Sequence, residues 1–100
     1  MNLNGKVALV TGASGGLGQR ICNALVNEGT SIAVIYNSSK NLSEKIVSTI
    51  KAQGVEAAPF QCDVSDHIQV EAMVEAVMRR FGHIDILIND AAYNKWIPFN

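Results

Sequence analysis

Four glycines, Gly12, Gly15, Gly16 and Gly18, crowd into the segment Thr11-Gly12-Ala13-Ser14-Gly15-Gly16-Leu17-Gly18. Gly12 can make the tight turn out of a strand. Gly16, lacking a Cβ, lets a charged ligand approach the backbone, and Gly18 lets a helix lie close on a sheet. Free amides at the start of that helix, with the positive end of its dipole behind them, suit a phosphate or diphosphate. Strand-to-helix turns use glycine for purely conformational reasons too, but this density between an apolar strand and an amphipathic helix favours the phosphate reading. No Gly-Lys-Ser/Thr follows, so the loop is not a P-loop. Other chemistry-bearing residues are sparse. His67 and His83 lack acidic or cysteine partners at metal-ligand spacing and read as surface residues, and Cys22 and Cys62 read as small packing residues.

The elements that must hold this turn follow from hydrophobic periodicity. Lys6–Val10 is a short apolar run ending at Thr11-Gly12, a buried strand running into a turn. From about Gly16 to Glu28 the pattern is helical, with Leu17, Ile21 and Leu25 on one face and Gly29 closing it. Ser31–Tyr36 is a second strand, rich in β-branched residues. Asn41-Leu42-Ser43-Glu44 has the form of a capping box, and the helix after it carries Leu42, Ile46 and Ile50 and stops by Gly54. Glu56–Cys62 is a third strand, placed at an edge because Pro59 donates no ladder hydrogen bond. Asp66–Arg80 is a helix with Val70, Met73, Val74, Val77 and Phe81 in one stripe, ended by Gly82, and Ile84–Ile88 is a fourth strand. Strands apolar on both sides, alternating with helices, predict an α/β fold with an open parallel sheet covered on both faces. Right-handed crossovers from a central first strand give the order 3-2-1-4, part of a doubly wound sheet, with the ligand crevice outside the carboxyl ends of strands 1 and 4.

Three motifs stand at those strand ends: Thr-Gly-x-x-x-Gly-x-Gly at Thr11–Gly18, Asp63-Val64 after strand 3, and Asn89-Asp90-Ala91-Ala92 after strand 4. Together they resemble the short-chain dehydrogenase/reductase family, in its compact single-domain branch, from about Lys6 to Phe99. The resemblance implies a Rossmann-type nicotinamide-dinucleotide domain, with residues 1–100 as the N-terminal part of it. It implies that Ser14, Gly15 and Leu17, with Gly12, Gly16 and Gly18, contact the pyrophosphate and adenosine ribose. Asp63 then accepts a hydrogen bond from the adenine amino group and Val64 packs on the ring; the plainer reading of Asp63 is a turn or cap before a helix. Asn89 matches the first residue of the family's Asn-Asn-Ala-Gly segment, which with Ala91 supports the sheet and touches the cofactor ribose. Asp90 departs from that pattern, replacing an amide by a carboxylate that lacks its donors and is costly to bury. Tyr93, Trp96, Ile97 and Phe99 fall where relatives have residues near the nicotinamide and substrate mouth, or else pack under a following helix or at a subunit interface.

An acidic residue at the end of strand 2 accepts from the ribose 2′-hydroxyl and selects NAD. That stretch here reads Tyr36-Asn37-Ser38-Ser39-Lys40, with no carboxylate before Glu44. Asn37 and Ser38 offer donors that can bind a 2′-phosphate, so NADP is the expected cofactor and NAD the alternative. Family catalysis uses a Tyr-x-x-x-Lys pair with a Ser and an Asn, all expected beyond Asn100, so no catalytic residue is assigned and the chain is read as the cofactor-binding half of a larger enzyme. Val-Ile-Tyr-Asn-Ser-Ser is similar to the same stretch of 3-oxoacyl-acyl-carrier-protein reductases, with sugar dehydrogenases as the next subclass. The expected reaction interconverts a carbonyl and an alcohol on a small-molecule substrate by hydride transfer. A non-catalytic dinucleotide sensor, an inactive fragment and an interaction module are the rival readings.

Composition agrees with this and narrows the partners. Hydrophobic residues are 48% and charged residues 17% of the 100, which excludes a disordered chain or a disulfide scaffold. A net charge of −1 offers no polycationic face for nucleic acid or an anionic membrane. No apolar run approaches the roughly 20 residues needed to span a bilayer. Two cysteines without framework spacing fit reduced thiols in the cytoplasm. By resemblance, the full-length protein is a homo-oligomer, a tetramer or dimer.

Overall fold

The computed structural model describes residues 3–13 and 15–89. Its elements are β1 (Val7–Thr11), α1 (Gly16–Asn27), β2 (Ser31–Tyr36), α2 (Lys40–Ala52), β3 (Ala57–Gln61), α3 (His67–Phe81) and β4 (Ile86–Asn89). The four strands form one sheet in the order β3-β2-β1-β4. Every pairing is parallel, with Thr11 opposite Ile35 on one side and Asn89 on the other. This is the Rossmann-type topology that the alternating pattern predicts. All strand carboxyl ends lie at one edge, and β1 and β4 are neighbours where the strand order reverses.

Two cores flank the sheet. Ala8, Val10, Ile32 and Val34 point to one face, under Cys22 and Val26 of α1 and Val47 and Ile50 of α2. Leu9, Ala33 and Ile35 point to the other, under Met73 and Val77 of α3. All of Val7–Thr11 is buried, which is why β1 lacks polar alternation. Pro59 lies within β3, which pairs only with β2 among the described residues, so its missing N–H faces no ladder there.

The helix faces differ from the periodicity reading in two places. In α1 the residues that bury are Gly18, Cys22 and Val26, one position beyond the Leu17/Ile21/Leu25 stripe. Leu17 is 61% exposed. The cause is Gly18: a Cβ there would lie within 2.9 Å of the Ala13 Cα and collide with the Gly12 carbonyl oxygen, so the helix rests its backbone on the turn. A contact that close turns the glycine face inward, and the larger Leu17 and Leu25 move to the flanks. In α2 the N-cap is Ser39, not Asn41, and the Ser43 amide donates to the Ser39 carbonyl. No side chain caps this helix, so the predicted Asn41 capping box does not form. Starting earlier, α2 buries Ser43, Val47 and Ile50 and leaves Leu42 41% exposed, with Ile46 at the margin of the core.

The start of α3 follows the expectation. Asp66 is its N-cap, with Oδ1 accepting from the Ile68 and Gln69 amides, and Gly82 closes it in the left-handed region at φ 88°.

Candidate cofactor-binding site

The site begins where β1 ends. Gly12 leaves the strand at φ 71°, a conformation that side-chain-bearing residues rarely adopt. The Gly15 amide donates back to the Gly12 carbonyl at 3.1 Å, closing the turn, and the Gln19 amide donates to the Gly15 carbonyl as α1 begins. Gly15 is the N-cap, so no side chain of that residue can cap the helix, and the first turn carries no acidic residue. Leading amides of a helix have no partner inside it. Here they stand beside an exposed Gly16 whose missing Cβ would meet nothing within 4 Å. The two glycines thus differ in kind. Gly18 is required by the protein's own backbone; nothing among the described residues requires Gly16, which keeps open the space in front of the helix. An open, uncapped helix start of this sort fits a diphosphate.

Thr11 and Asn89 join the two strands across the switch point, with Thr11 Oγ1 donating to Asn89 Oδ1 at 2.9 Å. The bond orients the Asn89 amide at the sheet's carboxyl edge. Thr11 was missed by sequence reasoning as a partner of Asn89, although it opens the Thr-Gly motif and parallel register sets it directly opposite.

Asp63 follows β3. Its Oδ1 accepts from the Ser65 amide at 3.0 Å and the Ser65 hydroxyl at 2.6 Å, while its own amide donates to Gln69 Oε1 at 2.9 Å. The Ser65 hydroxyl, then the Ser65 amide, hold the Asp63 carboxyl below its usual range. The turn role and a ligand role coexist here, because only Oδ1 is engaged by Ser65. Val64 packs at the margin of the α3-side core. Cys62 is buried, and its thiol is pushed up first by burial and then by the charges of Asp63 and Asp66, which makes it a poor nucleophile. Burial alone raises Cys22 to about 11.

Past β2, Asn37 and Ser38 are exposed and lead into the uncapped start of α2. Gln61, at the end of β3, donates from Nε2 to both the Asn37 carbonyl oxygen and Asn37 Oδ1, each at 3.2 Å. Sequence reasoning missed Gln61; only the pairing of Tyr36 with Gln61 brings it beside Asn37. His83, an exposed residue, pairs with one carboxylate: its Nδ1 lies 2.6 Å from Asp85 Oδ2, which also accepts from the Val7 amide at 2.9 Å. That pair stands at the opposite, amino-terminal edge of the sheet, and no group of three or more metal-ligating side chains occurs among the described residues. Ser14, Ala91, Asp90 and the aromatic residues after them lie outside the described residues.

Gly12, Gly15, Gly16, Leu17, Gly18 and Asn89 are therefore brought to one end of the β1/β4 crevice, with Asn37, Ser38, Asp63 and Val64 following the neighbouring strands along the same edge. The sequence pattern of the short chain dehydrogenases matches residues 6–100. The chain belongs to the short-chain dehydrogenase/reductase family. Among similar curated proteins, the 3-oxoacyl-(acyl-carrier-protein) reductase FabG of Staphylococcus aureus is 43% identical over 90 residues, a match covering 90% of this chain and 37% of that enzyme. The short-chain dehydrogenase/reductase homolog YusS of Bacillus subtilis is 36% identical over 100 residues, covering the whole of this chain and 92% of that one. Among solved structures, an NAD+-bound xylitol dehydrogenase superposes with a TM-score of 0.86 at 41% identity, over 93% of this chain and 35% of that one. A short-chain dehydrogenase from Burkholderia cenocepacia in complex with NADP gives 0.86 at 38% identity, over 93% and 38%. The chain thus spans little more than a third of several relatives, and of the two solved structures one carries NAD+ and the other NADP. No helix among the described residues is long and apolar enough to cross a membrane.

Proposed function

We propose that residues 1–100 are the N-terminal, cofactor-binding part of one Rossmann domain in an NADP(H)-dependent oxidoreductase that interconverts a carbonyl and an alcohol. The observation that carries this reading is the glycine turn at the β1/α1 junction, whose open Gly16 and uncapped helix start are matched to a diphosphate. When bound, the nicotinamide supplies or accepts the hydride. The residues of this chain bind and orient the dinucleotide. Gly12, Ser14, Gly15, Gly16, Leu17 and Gly18 hold the diphosphate and adenosine ribose, Asp63 and Val64 the adenine, and Asn89 and Ala91 the inner ribose. Asp63 has Oδ2 available for an amino group while Oδ1 anchors it to Ser65.

The preference for NADP rests on Asn37 and Ser38. No carboxylate stands between Tyr36 and Glu44 to repel a 2′-phosphate. The start of α2 beside them has no side-chain cap and no acidic residue in its first turn, so its dipole and amides favour an anion. The acid/base groups of the reaction are assigned to no residue of this chain. A small carbonyl or alcohol is the substrate, the 3-oxoacyl thioester class first by kinship with FabG, and the full-length protein works in the cytoplasm as a dimer or tetramer. Dissociation constants of NADPH and NADH for the full gene product test the reading. Tighter NADPH supports it; tighter NADH reverses the cofactor assignment. Cofactor binding without turnover of any carbonyl or alcohol would instead favour a dinucleotide sensor.

A further inference from the structure

We infer that Gln61, on the edge strand, is a positioning residue that sets cofactor preference by fixing the orientation of the Asn37 amide. This rests on the assignment of Asn37 to the 2′-phosphate. A backbone carbonyl can only accept, so the 3.2 Å contact between Gln61 and the Asn37 carbonyl oxygen identifies the Gln61 atom as Nε2. The same nitrogen lies 3.2 Å from the Asn37 side chain and has only hydrogens to offer, so the Asn37 atom facing it is Oδ1. Both Nε2 hydrogens are then used, and Asn37 is held at two points, main chain and side chain.

The consequence is directional. Sheet order puts β3 on one side of β2 and β1 on the other. Turning Oδ1 toward Gln61 on β3 leaves the Asn37 Nδ2 donors directed away from Gln61 and open to a ligand. Without Gln61 the amide can rotate and present its oxygen there, which repels a phosphate. A free hydroxyl can donate to that oxygen as well as accept from the nitrogen, so the orientation matters for a 2′-phosphate and little for a 2′-hydroxyl. Gln61 and Asn37 are both exposed, so neither owes its geometry to core packing.

The test uses the full gene product with NADPH and NADH as probes. Replacing Gln61 by leucine removes the donors at similar length. Gln61→Leu should weaken NADPH about fivefold to tenfold and leave NADH within about twofold, the scale of one hydrogen bond to a charged group partly lost. Gln61→Glu, whose carboxylate can donate to neither Oδ1 nor the Asn37 carbonyl oxygen and adds a negative charge, should weaken NADPH further. Melting temperatures without cofactor should not move. In an Asn37→Ala background Gln61→Leu should add nothing, since its effect passes through Asn37. Equal weakening of both cofactors, no change in either, or full additivity with Asn37→Ala overturns the role of Gln61 while leaving the NADP assignment standing. A wild-type protein that binds NADH more tightly overturns both.

Discussion

Gly16 and Gly18 stand two residues apart in α1 and are constrained by different things. At Gly18 a methyl would press on the backbone of Gly12 and Ala13, which has no room to yield. Gly18→Ala should therefore destabilise the protein by about 2 kcal/mol even after its gain in helix propensity. Gly16→Ala meets empty space and should leave the melting temperature unchanged or slightly higher, yet weaken NADPH by about tenfold or more by intruding on the diphosphate. Thermal melts and titrations on the two variants separate the folding glycine from the binding glycine. Asp85 offers a pH test at the far edge of the sheet. The Val7 amide first, then His83, hold its carboxyl below the ordinary range. A depressed carboxyl stabilises the fold above its unfolded pKa near 3.9 and loses that contribution as pH falls through the lower folded value. Asp85→Asn keeps an acceptor for Val7 but cannot titrate, so unfolding free energies measured from pH 6 to pH 2.5 should fall less steeply below about pH 4 in the variant than in the wild type.

At the scale of elements, β1, β2 and the inner stripe of the third helix were legible because burial decides them, whereas the part-exposed β3 and β4 hold their places by pairing with β2 and β1. The run Val7–Val10 and the stripe Met73/Val77 admit one arrangement each, and Pro59 marks the edge. The faces of α1 and α2 were not legible in the same way. Apolar periodicity assumes that the largest side chains face the core, whereas α1 approaches the sheet through Gly18, and the N-cap of α2 lies two residues before the polar residue that looked like its cap. The side-chain bonds Gln61–Asn37, Thr11–Asn89 and His83–Asp85 depend on strand pairing and on loop geometry, which composition and spacing do not encode. The face of α2 can be measured. Ile50→Ala should cost about 3 kcal/mol, since Ile50 is 2% exposed, whereas Leu42→Ala should cost less than about 1 kcal/mol. Equal costs from chemical denaturation would mean that α2 packs through the Leu42 face after all.

Over the whole molecule, the sheet converts a one-dimensional spacing into a site. Motifs separated by most of the chain, Thr11–Gly18 and Asn89, meet because β1 and β4 are parallel neighbours, and their meeting point is where the two helical layers diverge. The strand order, and with it the strand ends where the candidate site residues stand, was readable from sequence because parallel topology leaves one crevice at its switch point. Ligand choice is less constrained by topology, as relatives with the same fold hold NAD+ in one case and NADP in another. The most direct measurement is a crystal structure of the full gene product grown with NADPH. The diphosphate bridge is expected against the main-chain amides at the head of α1, in front of Gly16, and the adenine beside Asp63. A nucleotide bound elsewhere, with that turn empty at saturating cofactor, would contradict it.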